Sequence, residues 1–159
     1  MRQRGFSLIE LLIVVAIILV IAAIAIPSLM RSRMAANEAS AVSSIRAITT
    51  AETTYASTYP TIGYTCTIGE LGPPTGGAPM SQTAAGILDN VLSSGSKQGY
   101  NFALSSCTGT PIATYSSQAE PINFGGTGTR GFCSDVSGVI KQSSDGLATT
   151  CFASGTVIQ

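Results

Sequence analysis

Histidine and tryptophan are missing from the 159 residues, and only 10% of positions are charged. Without histidine, no Ser-His-Asp or Cys-His arrangement can be assembled, and no H-E-x-x-H helix can hold zinc. Eight basic residues balance eight acidic ones, and no basic cluster supplies the footprint that a nucleic acid would need. Ordinary soluble domains carry about 25% charged residues, so the exposed surface here rests on neutral Ser, Thr and Gly. No internal repeat is visible, and no Gly/Ser/Thr-rich stretch is long enough to separate domains. These absences weigh against an enzyme and against a nucleic-acid-binding module. They leave room for one small globular domain once the long apolar run is set aside.

That run is Gly5 to Pro27, GFSLIELLIVVAIILVIAAIAIP, in which Glu10 is the one charged residue. At 1.5 Å per residue, Phe6 to Ile26 makes about 30 Å of helix, the thickness of a bilayer's hydrocarbon core. Apolar residues lie on all sides, which leaves no polar face for a helix lying in the interface plane. A secretory signal peptide shares the short positive region of Arg2 and Arg4. However, its apolar core is shorter, and its small residues follow the core, whereas Gly5 precedes this one.

Gly5-Phe6-Ser7-Leu8-Ile9-Glu10 and the apolar run to Pro27 resemble the type IV pilin and pseudopilin family. The resemblance implies that a membrane aspartyl peptidase, the prepilin peptidase, cuts between Gly5 and Phe6 and methylates the new amine. The helix then serves first as membrane anchor and later as filament core. Residues 1–5 would be the leader, 6–27 the membrane-spanning and filament-core helix, 28–59 its amphipathic half, and 60–159 the globular head. Glu10 has two readings. It could snorkel toward the interface, or, as the resemblance implies, meet the Phe6 amine of a neighbouring subunit. Pro27 has three: a kink in one helix, a boundary with Ser28 as N-cap, or, as the resemblance implies, the end of a segment that unwinds on assembly. The family's unwinding runs between a glycine and this proline, and Leu11 to Ile26 holds no glycine.

Ser28 to Tyr59 contains neither Gly nor Pro, and Val42, Ile45, Ile48, Tyr55 and Tyr59 recur at helical spacing. Ser40, Ser43, Ser44, Arg46, Thr50, Glu52 and Ser57 are expected on the polar face between them. Pro60 should end the helix. If Phe6 to Tyr59 were one helix it would be about 80 Å long, so its second half needs a domain to cover it. Thr61 to Pro79 is too dense in Gly and Pro for regular structure, and Ile87, Leu88, Val91 and Leu92 suggest a short helix stopped near Gly95. Tyr100, Phe102 and Leu104 alternate as a half-buried strand does, and a second strand is expected over Ala113 to Glu120. Arg130 to Ser134 and Val139 to Gln142 flank Asp135-Val136-Ser137-Gly138 as a hairpin. Glu120 to Thr129 reads as an exposed loop. The expected fold is α+β: a long N-terminal helix packed on a small antiparallel sheet, the pilin architecture that the resemblance implies.

Cys66, Cys107, Cys133 and Cys151 all follow the apolar run. Their wide spacing and even number point to two disulfides rather than a metal site. Arg2 and Arg4 are balanced by Arg31 and Arg33, so the flanking charges do not orient the helix. The cysteines do, placing the head on an oxidising side of the membrane and the leader in the cytoplasm. Three pairings are open. Cys66–Cys107 with Cys133–Cys151 is favoured, because the hairpin carrying Cys133 leads through Asp145-Gly146 back toward Cys151.

Other motifs carry little. Gly126-Thr127-Gly128-Thr129-Arg130-Gly131 matches G-x-G-x-x-G but lacks the strand before and the helix after. Ser94-Gly95-Ser96-Lys97 matches S-x-x-K without its partner motifs. Asp135 and Asp145 invite comparison with the Ca²⁺ loops of some pseudopilins, but two carboxylates make a poor cage. No cofactor or metal is expected. The leading reading is a pilus subunit, inserted in the inner membrane and polymerised with copies of itself by a membrane assembly platform. A type II secretion pseudopilin is the alternative, and a membrane-anchored enzyme or binding module the remote one.

Overall fold

The computed structural model describes residues 6–158. They fall into two compact units, the first through Arg33 and the second from Met34 onward. Helix α1, Leu8–Thr58, runs through both and contains Pro27 in its interior. Ser28 is therefore a helical residue and caps nothing; its carbonyl accepts the Ser32 hydroxyl at 3.0 Å.

In the first unit, α1 includes a stretch long and apolar enough to cross a membrane, and none of that stretch is buried. Leu8, Ile9, Leu11, Leu12, Ile17, Leu19 and Ile24 all keep more than half of their surface open. A helix that is apolar all round, with no protein against it, is built for lipid or for other helices.

The second unit is organised on one face of its own part of α1. Ala41, Ile45, Ile48, Ala51 and Tyr55 are buried along it, at the spacings of three and four that the periodicity predicts. Fully burying Ile45 and Ile48 is worth roughly 1.5 to 3 kcal/mol each. The helix ends at Thr58, two residues before Pro60. Against this face lies a six-stranded antiparallel sheet in simple sequential order: β1 (Ser96–Lys97), β2 (Tyr100–Thr108), β3 (Thr114–Pro121), β4 (Gly131–Asp135), β5 (Lys141–Ser143) and β6 (Thr156–Val157). Phe102 stands opposite Ala119, which stands opposite Phe132. A small residue thus separates two large ones on the inward face, and all three join the core cluster with Ile45 and Ile48. Both edge strands are two residues long, which limits edge-to-edge pairing.

The β4–β5 hairpin turns on Asp135 to Gly138: the Gly138 N–H donates to the Asp135 carbonyl at 2.9 Å and the Ser137 N–H to Asp135 Oδ1 at 2.8 Å. Gly138 has φ of 73°, which a side chain would strain. The expected helix around Ile87–Leu92 is only α2, Asn90–Ser93, because Asp89 caps it by accepting the Val91 and Leu92 N–H groups. Ile87 and Leu88 instead donate their N–H groups to the Leu71 carbonyl. Helix α3, Ala148–Ser154, was not expected from the periodicity.

The polar-face assignment is corrected at two positions. Ser44 and Glu52 are buried, Glu52 completely. The segment after α1 folds back over that side of the helix and gives Glu52 a backbone donor at Thr65.

Candidate functional site

The first residues of α1 are where sequence and geometry meet. Gly5, the expected residue before the cleavage point, lies outside the described residues, and Phe6 is the first residue within them. Ser7 immediately precedes the helix and its carbonyl accepts from the Leu11 N–H at 3.3 Å, so Ser7 is the N-cap. Three residues on, Glu10 Oε2 accepts from the Ser7 N–H at 3.0 Å. This is the acid's half of a capping box. The carboxylate satisfies one of the helix's unpaired donors and sits at the positive end of its dipole. The S-x-x-E spelling of Ser7 to Glu10 is the sequence signature of such a cap. Within one chain, Glu10 therefore has a partner.

In the second unit, an acid that no motif or spacing marks ties α1 to a loop. Glu38, 6% exposed, reaches from α1 to the loop before β4. Its Oε1 accepts from the Thr129 N–H (2.9 Å), the Thr129 hydroxyl (3.1 Å) and the Arg130 N–H (3.2 Å). Its Oε2 accepts from Arg130 Nε at 2.8 Å and pairs with Nη2 at 2.6 Å. Arg130 Nη1 continues to Gln142 Oε1 at 2.8 Å, and the Tyr100 hydroxyl donates to the Arg130 carbonyl at 2.8 Å. Burial pushes the Glu38 carboxyl up, but the bonds from Thr129 and Arg130 outweigh it and hold the group below the ordinary carboxylate range. The loop expected to be exposed, Glu120 to Thr129, is thus pinned at Thr129 and at the Arg130 that follows it.

The sulfur atoms of Cys66 and Cys107 are bonded, as are those of Cys133 and Cys151. The first bridge ties the segment after α1 to β2; the second ties β4 to α3. In the chain-entropy picture, loops of 41 and 18 residues are worth about 4 and about 3 kcal/mol. Replacing both Cys133 and Cys151 with serine is expected to lower stability to urea by about 3 kcal/mol and to loosen α3 before the sheet. Amide exchange in α3 that stayed as slow as in the parent chain would contradict this.

The remaining motifs are occupied by ordinary structure. Lys97 Nζ pairs with Asp89 Oδ2 at 3.2 Å, and the Ser94 hydroxyl donates to the Val91 carbonyl at 2.7 Å, so neither activates the other. Gly128 is a glycine because a Cβ there would lie 2.0 Å from the Tyr100 hydroxyl oxygen. Asp135 and Asp145 each accept a backbone N–H two residues on, from Ser137 and Leu147. Among the described residues, no group of three or more His, Cys, Asp or Glu side chains could hold a metal ion.

Residues 1–26 match the family model described as the prokaryotic N-terminal methylation motif. The chain is type IV pilin-like. Over 54 residues it is 45% identical to the type IV major pilin protein PilA of Myxococcus xanthus (strain DK1622). That stretch is 34% of this chain and 24% of the relative, so the likeness spans about a quarter of that protein's length. No solved structure matches. In this pilin-like chain the methylation motif, the unburied apolar helix and the Ser7–Glu10 cap occupy one continuous stretch, and the disulfide-bonded α+β head follows it.

Proposed function

We propose that the chain is the structural subunit of a type IV pilus and not an enzyme. The observation that carries the reading is the methylation motif over residues 1–26, joined to a helix that is apolar on all sides and unburied. On this reading residues 1–5 are a leader removed by prepilin peptidase, and Phe6 becomes the methylated N-terminus. The segment to Pro27 anchors the precursor in inner-membrane lipid until an assembly platform draws it into a homopolymer. Residues 28–59 and the head, 60–159, then lie outside the cytoplasm and form the filament wall. Glu10 exchanges its Ser7 cap for the amine of a neighbouring Phe6 during assembly. Loss of Arg2 and Arg4 with the leader takes eight basic residues to six against eight acidic.

Two measurements test this. The peptidase must fit a small residue beside the scissile bond, so Gly5→Leu should leave the chain inserted but uncut, and full-length precursor should accumulate in membranes. A normal N-methylated Phe6 chain by intact mass in that variant would refute the cleavage site. Electron microscopy of filaments sheared from cells should show a polymer of this chain. Sheared fractions without filaments, together with a protein-export defect on deletion, would move the chain to a secretion pseudopilus.

A further inference from the structure

The segment after α1 lies over a carboxyl group that has a single donor. Glu52 is 0% exposed. Its Oε2 accepts from the Thr65 N–H at 3.0 Å, and its Oε1 has no hydrogen-bond partner. Thr65 is itself buried, and its hydroxyl donates to Glu70 Oε2. The same hydroxyl accepts from the Thr67 N–H at 3.0 Å. One threonine therefore bridges two carboxyl groups, one fully buried and one half-buried. The groups that face Glu52 are Glu70, from the 3₁₀ turn Ile68–Leu71, Tyr55 from α1 and Tyr115 from β3. The charge acting on Glu52 is that of Glu70, of its own sign. Ionising Glu52 would bury a charge that has one backbone donor and is repelled by Glu70.

We propose that Glu52, Thr65 and Glu70 form a proton-controlled latch, in which a proton on Glu52 holds the segment around Thr65 on α1 and loss of that proton favours its release. Burial pushes the Glu52 carboxyl up, the Thr65 N–H offsets part of the rise, and Glu70 adds to it, leaving the group at about 7. Burial also pushes up the hydroxyls of Tyr55 and Tyr115, the latter to about 12, so both stay neutral around pH 7. Docking thus binds a proton. It is strongest below the ordinary carboxylate range, weakens as pH rises toward 7, and loses nothing further above that value. The release is local, because Cys66 stays bonded to Cys107 and Gly63 is bridged to Ile112 on either side of Thr65. The latch uses only residues of the second unit and does not rest on the pilus reading.

The test is amide exchange of Thr65 and Thr67 in the full chain in detergent micelles, expressed as protection factors so that intrinsic pH dependence is removed. Protection should fall about tenfold between pH 6 and pH 8. Glu52→Gln, neutral at all pH values and still able to accept from the Thr65 N–H, should show a flat profile over that range. Should that variant fold poorly, the ¹³C carboxyl titration of Glu52 in the parent chain decides instead, with a midpoint near neutrality expected. Flat protection in the parent chain, or a Glu52 midpoint in the ordinary carboxylate range, would overturn the latch. Protection that followed added CaCl2 at fixed pH, rather than pH itself, would make the pair a cation site and also overturn it.

Discussion

Glu38→Ala is expected to destabilise the chain by about 3 kcal/mol in urea denaturation followed by near-ultraviolet circular dichroism of its tyrosines. Removing one partner of a buried pair typically costs about 3 to 5 kcal/mol, because the other partner is left uncompensated. Here the lower end applies, since the Arg130 side chain is 45% exposed and water can solvate part of its charge. The damage extends beyond the ion pair. The Thr129 and Arg130 N–H groups lose their acceptor, and the loop before β4 loses its tie to α1. Replacing Glu38 and Arg130 together with methionine should recover part of the loss, since neither charge is then left alone. Stability should also depend on acid. Glu38 is held below its ordinary range, so its contribution is present above the unfolded carboxylate value and disappears as pH falls through the lowered one. A loss under about 1 kcal/mol for Glu38→Ala would show that the network is redundant with the core.

Glu38 also shows what a sequence can and cannot disclose. The inward residues of β2 alternate as Tyr100 and Phe102, and the Asp135–Gly138 turn follows from local chemistry, so both could be read from a few neighbouring letters. Ile45, Ile48 and Tyr55 were legible for the same reason, being one stripe of one helix. Glu38 and Glu52 were not. A polar residue on an amphipathic helix is ordinarily assigned to solvent, and only a donor from outside the helix reverses this. For Glu38 that donor is 92 residues away at Arg130; for Glu52 it is a loop whose glycine and proline density hides where it packs. Strands β1 and β6 are two residues long and cannot display a period. At Ser7 to Glu10 the signal was local and readable as a cap, but a charge inside an apolar run invites a different question.

Glu10→Leu is expected to abolish filaments while leaving the subunit in the membrane. Insertion scales charge roughly 2.5 to 3.5 kcal/mol for an acid at the centre of a membrane helix, and less near an end, so the leucine chain should insert at least as well. It loses the hydrogen bond from the Ser7 N–H, which frays the first turn without touching the head. On the pilus proposal the larger loss comes at assembly. Cleavage leaves a cationic amine on Phe6, and in an apolar bundle an unpaired charge costs several kcal/mol, enough to suppress every added subunit. Glu10→Gln separates the roles. Its amide oxygen can still accept from the Ser7 N–H and from an amine, but carries no charge. A capping role alone predicts a normal yield from glutamine, a charge-pairing role an intermediate one, and snorkelling no defect in either variant. The measurements are sheared filament yield by electron microscopy beside membrane subunit level by immunoblot, and wild-type filament yield from Glu10→Leu would sink the amine-partner mechanism.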